Sequence, residues 1–288
     1  MIDLHTHSRA SDGDLSPAEL IRSAKERGLT AIALTDHDTL DGLEEAREEA
    51  VRQGIEFIPG IEFDVDYEPV TVHGEFHLLG LGLAIISPGF RDALVEIRRK
   101  REERNLRLLE RIGEELGVNI DYGEVRALSG GGALGRPHFA TLLVNRGIVK
   151  NQEQAFSEYL GKGQPLYIAK EKFEFARALG IIREAGGIPV LAHPLSLHIA
   201  WGRLPDFVAD LAAQGLAGIE AWHPSAKVRS CRRLEALGRS LGLYITAGSD
   251  FHGNSRPDRK LGITAGDSPI GEGFLEAIPP LRNRGKTL

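Results

Sequence analysis

The chain has 288 residues, 35 Lys and Arg against 41 Asp and Glu for a formal net charge of −6, ten histidines and one cysteine. A hydrophobic fraction of 42% and a charged fraction of 26% exclude a disordered or fibrous chain, and the length suits one large α/β domain with an elaboration, or at most two domains. The lone Cys231 excludes a disulfide framework and a multi-cysteine zinc or iron–sulfur site and points to a reducing compartment, while the acidic balance supplies no global pull toward nucleic acid or an anionic membrane.

In chain order, the first residues turn polar within a few positions and lack the basic and apolar regions of a signal peptide. The longest apolar run, around Leu78 to Ile86, is about half the ~20 residues that span a bilayer. A cytoplasmic protein with no membrane partner and no obligate protein partner is expected. A strand is predicted at Ile2–His5. Ser16-Pro17-Ala18-Glu19 then combines an N-cap serine, a proline at the first helical position and a capping-box glutamate, and Gly28 stops the helix. Strands at Thr30–Thr35, Glu56–Gly60 and Phe76–Leu83 enclose a helix at Leu40–Gln53. Further along, helices at Lys172–Ala185, Leu204–Gln214 and Ala226–Leu241 alternate with strands at Ile188–Ala192, Ala217–Ala221 and Leu243–Ala247. This alternation builds parallel strands with crossover helices, and seven strands predict a closed or nearly closed barrel.

Residues 88–165 read as helical throughout and are too long for a crossover. They are expected to form an inserted helical cap, leaving 1–87 and 166–288 for the barrel. Leu94, Ile97, Arg101, Arg104, Leu108 and Ile112 share one face by 3-and-4 spacing, while Arg98, Arg99, Lys100, Glu102 and Glu103 face elsewhere. Two arginines in an otherwise apolar stripe admit two readings. Their stems lie along apolar surface with the heads in water, or inward guanidiniums need an anion, and a phosphate held bidentately is a good one. Gly130-Gly131-Gly132 is expected to be a flexible loop without the lysine and spacing of a phosphate-cradling loop, and Gly135-Arg136-Pro137-His138 opens another helix.

The informative feature is where the histidines and carboxylates fall. His5-Thr6-His7 ends the first predicted strand and Asp36-His37-Asp38 the second; Glu62 follows the third and His77 lies within the fourth. His193 ends the fifth, Glu220 and His223 follow the sixth, and Asp250-Phe251-His252 ends the seventh. Barrel enzymes build their active sites at the C-terminal ends of strands. Alternate strand residues point the same way, so His5 with His7, and Asp250 with His252, project into shared space. So many titratable groups at one barrel end need ions to compensate them, and imidazole with carboxylate suits Zn, Mn or Fe, whereas an all-oxygen set would suit Mg or Ca.

Through Asp3-Leu4-His5-Thr6-His7-Ser8, Ser11-Asp12-Gly13, Thr35-Asp36-His37-Asp38, Gly60-Ile61-Glu62, His77-Leu78-Leu79-Gly80, Ala192-His193-Pro194, Gly218-Ile219-Glu220 and Gly248-Ser249-Asp250-Phe251-His252, the chain resembles the polymerase-and-histidinol-phosphatase (PHP) superfamily of metal-dependent phosphoesterases. The resemblance implies a distorted (β/α)7 TIM-like barrel with an inserted helical cap, and a trinuclear centre of three divalent ions, Mn first with Zn or Fe as alternatives. Carried over position by position, it implies nine ligands, with Glu62 bridging two ions. His5, His7, Glu62 and Asp250 would surround one ion, Glu62, His77 and His193 the next, and Asp12, His37 and His252 the third. Within the superfamily, the length, the insert and the Tyr159-Leu160 to Pro165-Leu166-Tyr167 stretch resemble stand-alone bacterial enzymes that remove the 3′-phosphate from nucleoside 3′,5′-bisphosphates, some members trimming RNA 5′ ends. The resemblance implies a small nucleotide or a short RNA 5′ end as partner. Arg101, Arg104 and Arg136 would contact it from the insert, with Asp12 and His37 at the ions.

The implied chemistry is phosphoester hydrolysis by metal-activated hydroxide, with arginines neutralising and orienting the phosphate and Asp250 indispensable to turnover. His223 belongs to no ligand group; it is either the general acid for the leaving oxygen or a surface or base-stacking histidine. Asp36 and Asp38 are expected to orient ligand histidines, and His73, His138 and His198 to be structural. A histidinol-phosphate phosphatase would share the metal chemistry. Amidohydrolases also open with His-x-His but typically use a carboxylated lysine bridge and eight strands; here Glu62 can bridge, and no lysine is expected near the fourth-strand site. A non-catalytic RNA-binding module is set against by an acidic chain with a complete ligand set.

Overall fold

The computed structural model describes residues 1–67, 74–128 and 134–281, so the Gly130-Gly131-Gly132 loop and His73 lie outside the described residues. In chain order the elements are β1 (Ile2–Asp3), α1 (Pro17–Glu26), β2 (Ala31–Leu34), α2 (Leu43–Gln53), β3 (Glu56–Asp66), β4 (His77–Leu81), α3 (Pro88–Leu116), α4 (Tyr122–Leu128), α5 (Arg136–Asn145), α6 (Gln152–Ala155), β5 (Phe173–Glu174), α7 (Phe175–Glu184), β6 (Ile188–Leu191), α8 (Leu204–Gln214), β7 (Gly218–Trp222), α9 (Val228–Ser240) and β8 (Tyr244–Ala247). They form two compact units, Met1–Asp92 with Lys172–Leu288, and Ala93–Glu171.

Local chemistry explains the first unit's elements. Ser16 caps α1 and Glu19 returns the bond to the Ser16 N–H, closing the capping box. In β2, Ala31 and Ala33 join an interior cluster with Ile2, Leu4, Ile58, Leu79, Val190 and Ala247. Ile32 and Leu34 turn outward and pack under Leu20, Ile21 and Ala24 of α1 and Ala46 and Ala50 of α2. The strand period of two therefore makes both the barrel interior and its helical jacket. Seven strands run β1-β2-β3-β4-β6-β7-β8 in a nearly closed barrel. Beyond β8, Phe251 bridges to Thr6, and the buried Asp3 carboxylate accepts from Ser249 N (3.0 Å), Ser249 Oγ (2.5 Å) and Gly262 N (2.7 Å), tying the first strand to the last.

One expectation fails. The strands are not all parallel, because β4 pairs antiparallel with both β3 and β6. Asp66 and His77 are joined by too few residues for a helical crossover, and a link of that length returns the chain in the opposite direction. The consequence is functional. His77 begins its strand, yet it arrives at the same barrel mouth that the other strands reach at their ends.

The second unit has its own apolar core, built from Leu108 and Ile112 of α3 with Val125, Phe139, Leu142, Leu143, Leu160 and Leu166. Of the α3 stripe, Leu94, Ile97, Arg104, Leu108 and Ile112 are buried, and Arg101 is half-buried. No strand occurs among the described residues of this unit.

Helix α9 lies close against the barrel at Gly238, where an added Cβ would come within 2.6 Å of Ile219 Cγ2 and of Ile245 Cδ1. Gly238→Ala is expected to lower stability by about 1–3 kcal/mol, the usual cost of overpacking, read as a shifted urea midpoint at unchanged slope.

Candidate metal centre

The barrel mouth gathers its polar groups from all seven barrel strands and the loops that follow them. Thr6 is pinned to β2 by its Oγ1 donating to Ala33 O (2.6 Å) and its N–H donating to Thr35 Oγ1 (3.2 Å), which turns His5 and His7 together until their Nε2 atoms are 3.1 Å apart. Glu62 projects from the middle of β3 and is fully buried. Its Oε1 meets His77 Nδ1 at 3.0 Å, His193 Nε2 at 3.1 Å and His5 Nε2 at 3.4 Å. Its Oε2 meets His37 Nδ1 at 3.0 Å and His7 Nε2 at 3.2 Å. Asp250 Oδ1 lies 3.1 Å from His7 Nε2 and 3.4 Å from His5 Nε2. Asp12, with its side chain 45% exposed, reaches His252 Nε2 at 3.3 Å, His7 Nδ1 at 3.6 Å and His37 Nε2 at 3.8 Å.

These contacts resolve into three overlapping groups able to hold an ion: His5, His7, Glu62 and Asp250; His37, Glu62 and His77; and His7, Asp12, His37 and His252. The first is the group the resemblance implies. The second contains His37 where His193 was expected, although His193 Nε2 still touches Glu62 Oε1; the third adds His7. The donors fit divalent ions. An ion with four tetrahedral donors at ~2.1 Å sets those donors about 3.4 Å apart, close to the 3.1–3.4 Å that separate His5 and His7 Nε2 from each other and from the Glu62 and Asp250 oxygens. Two imidazole Nε2 atoms facing each other, and the buried Glu62 Oε2 and His37 Nδ1, 3.0 Å apart without a hydrogen bond, are groups that a shared cation would satisfy.

Outer partners fix the rings. Glu220 Oε1 pairs with His5 Nδ1 (3.1 Å) and its Oε2 accepts from His193 N (2.8 Å). Ser196 Oγ pairs with His193 Nδ1 (2.7 Å), and the Asp250 carbonyl with His252 Nδ1 (2.7 Å). In each case Nδ1 is engaged outside and Nε2 turns to the centre. Burial alone would raise the Glu62 carboxyl, but the surrounding histidines, His37 foremost, hold it well below the usual range. Burial would likewise lower His5, yet Glu220 and Glu62 raise it to about 10, and in return His5 outweighs burial to hold Glu220 at about 2. His193 and Asp250 adopt positive φ, 24° and 52°, backbone conformations that cost about 1–3 kcal/mol and cluster at functional sites. At Gly248 an added Cβ would come within 2.3 Å of His5 Cβ and 2.5 Å of Glu220 Oε1, so the close approach needs glycine.

The structure revises several sequence expectations. Asp36 accepts from Ser8 N (2.7 Å), Ser8 Oγ (2.6 Å) and Ser11 Oγ (2.6 Å), so it folds the loop that carries Asp12 and reaches His7 only through Ser11. Asp38 Oδ1 accepts from Asp64 N (3.3 Å). His223 is buried, with Nε2 3.3 Å from Asp250 Oδ2 and Nδ1 2.7 Å from Ser225 Oγ. Burial lowers it to about 3, leaving a neutral ring near pH 7. A lysine does approach the fourth strand: Lys172 Nζ lies 3.3 Å from Asp64 Oδ1, which is 3.9 Å from His77 Nε2. Asp64 and Asp66 outweigh its burial and keep it cationic, unlike a carbamate bridge. His138 caps α5 by accepting from Gly135 N (3.1 Å), and His198 is exposed beyond β6. Arg259, which no spacing in the sequence singles out, donates through Nη1 to Asp250 Oδ2.

Within the second unit, Arg104 is only 2% exposed, and its Nε and Nη1 meet no acceptor among the described residues. Burial, reinforced by Arg136, Arg101 and Arg107, lowers its guanidinium to about 10. Arg136 lies 5.2 Å over the Tyr167 ring and donates to Leu160 O (3.4 Å).

The PHP-domain family profile matches residues 3–170. The chain belongs to the PHP-domain family. This PHP chain is 36% identical over 277 residues to a 3′,5′-nucleoside bisphosphate phosphatase of Chromobacterium violaceum, covering 93% of each. It is 34% identical over 250 residues to a 5′-3′ exoribonuclease of Haemophilus influenzae, covering 87% of this chain and 89% of that one. A solved amidohydrolase from Chromobacterium violaceum, with bound sulfate and no metal, superposes with a TM-score of 0.80 at 32% identity over 96% of each chain. The PHP protein is a metal-dependent phosphoesterase. Among the described residues no helix is long and apolar enough to cross a membrane.

The His5–Glu220 pair sets a pH window for the chelated protein. Its contribution is complete between the ordinary values of 4.5 and 6.5; it fades as pH falls toward about 2, where Glu220 protonates, and as pH rises toward about 10, where His5 loses its proton. The stability difference between chelated wild type and Glu220→Gln, from urea midpoints, is therefore expected to be largest at pH 4.5–6.5 and to shrink on both sides.

Proposed function

We propose that this phosphoesterase hydrolyses phosphate monoesters of nucleotides, above all the 3′-phosphate of nucleoside 3′,5′-bisphosphates. The observation that carries the reading is Arg104, a buried guanidinium among other arginines, two of whose donor atoms meet no acceptor among the described residues. A buried cation among cations calls for a multiply charged anion, and phosphate matches its fork. A substrate with two phosphates asks for two cationic sites. His5, His7, Asp12, His37, Glu62, His77, His193, Asp250 and His252 would hold the ions at one, and Arg101, Arg104 and Arg136 would supply the other. Divalent ions, Mn first, would supply Lewis-acid activation of water and charge neutralisation at the scissile phosphate. Asp12, the exposed member of the ligand set, and His37 beside it would border the substrate. His223, neutral near pH 7, orients Asp250 instead of protonating the leaving oxygen.

The bisphosphate phosphatase of Chromobacterium violaceum supports this substrate class, and the sulfate in the solved relative supports a tetrahedral oxyanion. A second reading, trimming of RNA from its 5′ end, is favoured by the exoribonuclease relative. A phosphate-release panel with Mn, Zn and Mg separates them, comparing a nucleoside 3′,5′-bisphosphate, a nucleoside 5′-monophosphate, a 5′-phosphorylated RNA oligomer and histidinol phosphate. The highest kcat/KM is expected for the bisphosphate; preference for RNA or histidinol phosphate, or amide hydrolysis in place of phosphate release, would overturn the reading.

Asp250→Ala is expected to lower turnover by more than about 100-fold, since even outer partners of ligands cost 10–100-fold. Arg101→Ala with Arg104→Ala is expected to lower kcat/KM for the bisphosphate by about 10- to 100-fold, as for lost charge-assisted hydrogen bonds, and to spare the 5′-monophosphate more. A fall confined to KM would mark uniform binding.

A further inference from the structure

Arg259 places a fixed positive charge where an ion is expected to go. Its side chain is 12% exposed, and its Nη1 donates both to Asp250 Oδ2 and to the Asp250 carbonyl (3.3 Å). The two oxygens of Asp250 thus face different partners. Oδ1 points at the Nε2 atoms of His5 and His7, and Oδ2 at Arg259 and His223 Nε2. The carboxylates of Glu62, Glu220, Glu75 and Asp12 also lie within electrostatic reach of the guanidinium. An ion pair taken largely out of water repays its desolvation only when its remaining donors are satisfied. This one falls short, because Arg259 Nε is buried and finds no acceptor among the described residues.

We propose that Arg259 is an internal counter-cation for Asp250, holding the carboxylate in place when ions are absent and opposing ion binding at the His5, His7, Glu62 and Asp250 group. The inference rests on the reading that this group binds divalent ions, and not on which nucleotide is the substrate. The physics gives two effects of opposite sign. Without ions, Arg259 offsets part of the negative charge of a buried carboxylate cluster, so removing it destabilises the chelated protein. With ions, a fixed guanidinium beside Asp250 repels the incoming divalent charge, and at close range in a partly desolvated site that repulsion is strong. Removing it therefore tightens ion binding. A residue that served only to orient Asp250 would behave otherwise: its loss would lower the stability of the chelated protein and weaken ion binding together.

The test compares wild type, Arg259→Met, which keeps a long stem without the charge, and Arg259→Lys, which keeps the charge. Mn²⁺ is titrated calorimetrically into each chelator-treated protein, and thermal unfolding of each is followed with chelator present. Arg259→Met is expected to unfold a few degrees lower in chelator and to bind its first Mn²⁺ at least about tenfold more tightly, with Arg259→Lys near wild type in both. Unchanged or weaker Mn²⁺ binding by Arg259→Met overturns the proposal, and failure of wild type to bind Mn²⁺ overturns both it and the metal reading. Should Arg259→Met not fold, wild type alone decides. Modification of Arg259 by phenylglyoxal, followed by peptide mass spectrometry, is expected to be faster with Mn²⁺ than with chelator, because the ion takes over Asp250. Equal or slower modification overturns the proposal.

Discussion

Everything at the barrel mouth is arranged around one buried carboxylate. Glu62 has no exposed surface, yet nitrogens from His5, His7, His37, His77 and His193 all lie within 3.0–3.4 Å of its two oxygens. A lone carboxylate in such a place would protonate, and five imidazoles packed together would stay neutral. Each makes the other tolerable, and divalent ions among them satisfy both. The requirement reaches far along the chain, because these ligands arise from four separate strands and become neighbours only when the sheet curls toward closure.

The reversed fourth strand belongs to the same constraint. A parallel β4 would deliver its last residue to the mouth and carry His77 to the opposite end of the barrel. Running antiparallel to β3 and β6, it delivers its first. Around the cluster, Glu220, Ser196 and the Asp250 carbonyl each hold an Nδ1 so that the Nε2 of the same ring faces inward, and Asp36 shapes the loop bearing Asp12. The positive φ of His193 and Asp250 is tolerable because those outer bonds over-determine both residues.

Formal net charge conceals how cations are distributed. The chain is acidic overall, yet it buries one guanidinium among arginines in the inserted unit and holds another, partly buried, beside Asp250 in the barrel unit. Among the described residues Arg104 Nε and Nη1 meet no acceptor, whereas Arg259 faces a carboxylate that divalent ions would claim. The first is a cation awaiting an anion, and the second a cation standing beside one already spoken for.

The sequence by itself determined the family, the succession of barrel strands and helices, the helical character of residues 88–165 and the apolar stripe that carries Arg101 and Arg104, while leaving open whether those guanidiniums face water or the interior. These are local properties: a capping box at Ser16 and Glu19, a period of two at Ile2 and Leu4, a 3-and-4 spacing from Leu94 to Ile112, and short motifs ending in histidine or aspartate. Tertiary structure alone decided the direction of β4, the place of His37 beside Glu62 and His77, the Glu220 support of His5 and the Arg259 contact with Asp250. Each depends on residues far apart in the chain meeting across a closing sheet, and no spacing along a sequence encodes that distance. His223 shows the same division, since its position after the sixth strand is legible in the sequence, but the burial that keeps its ring neutral exists only in the folded barrel.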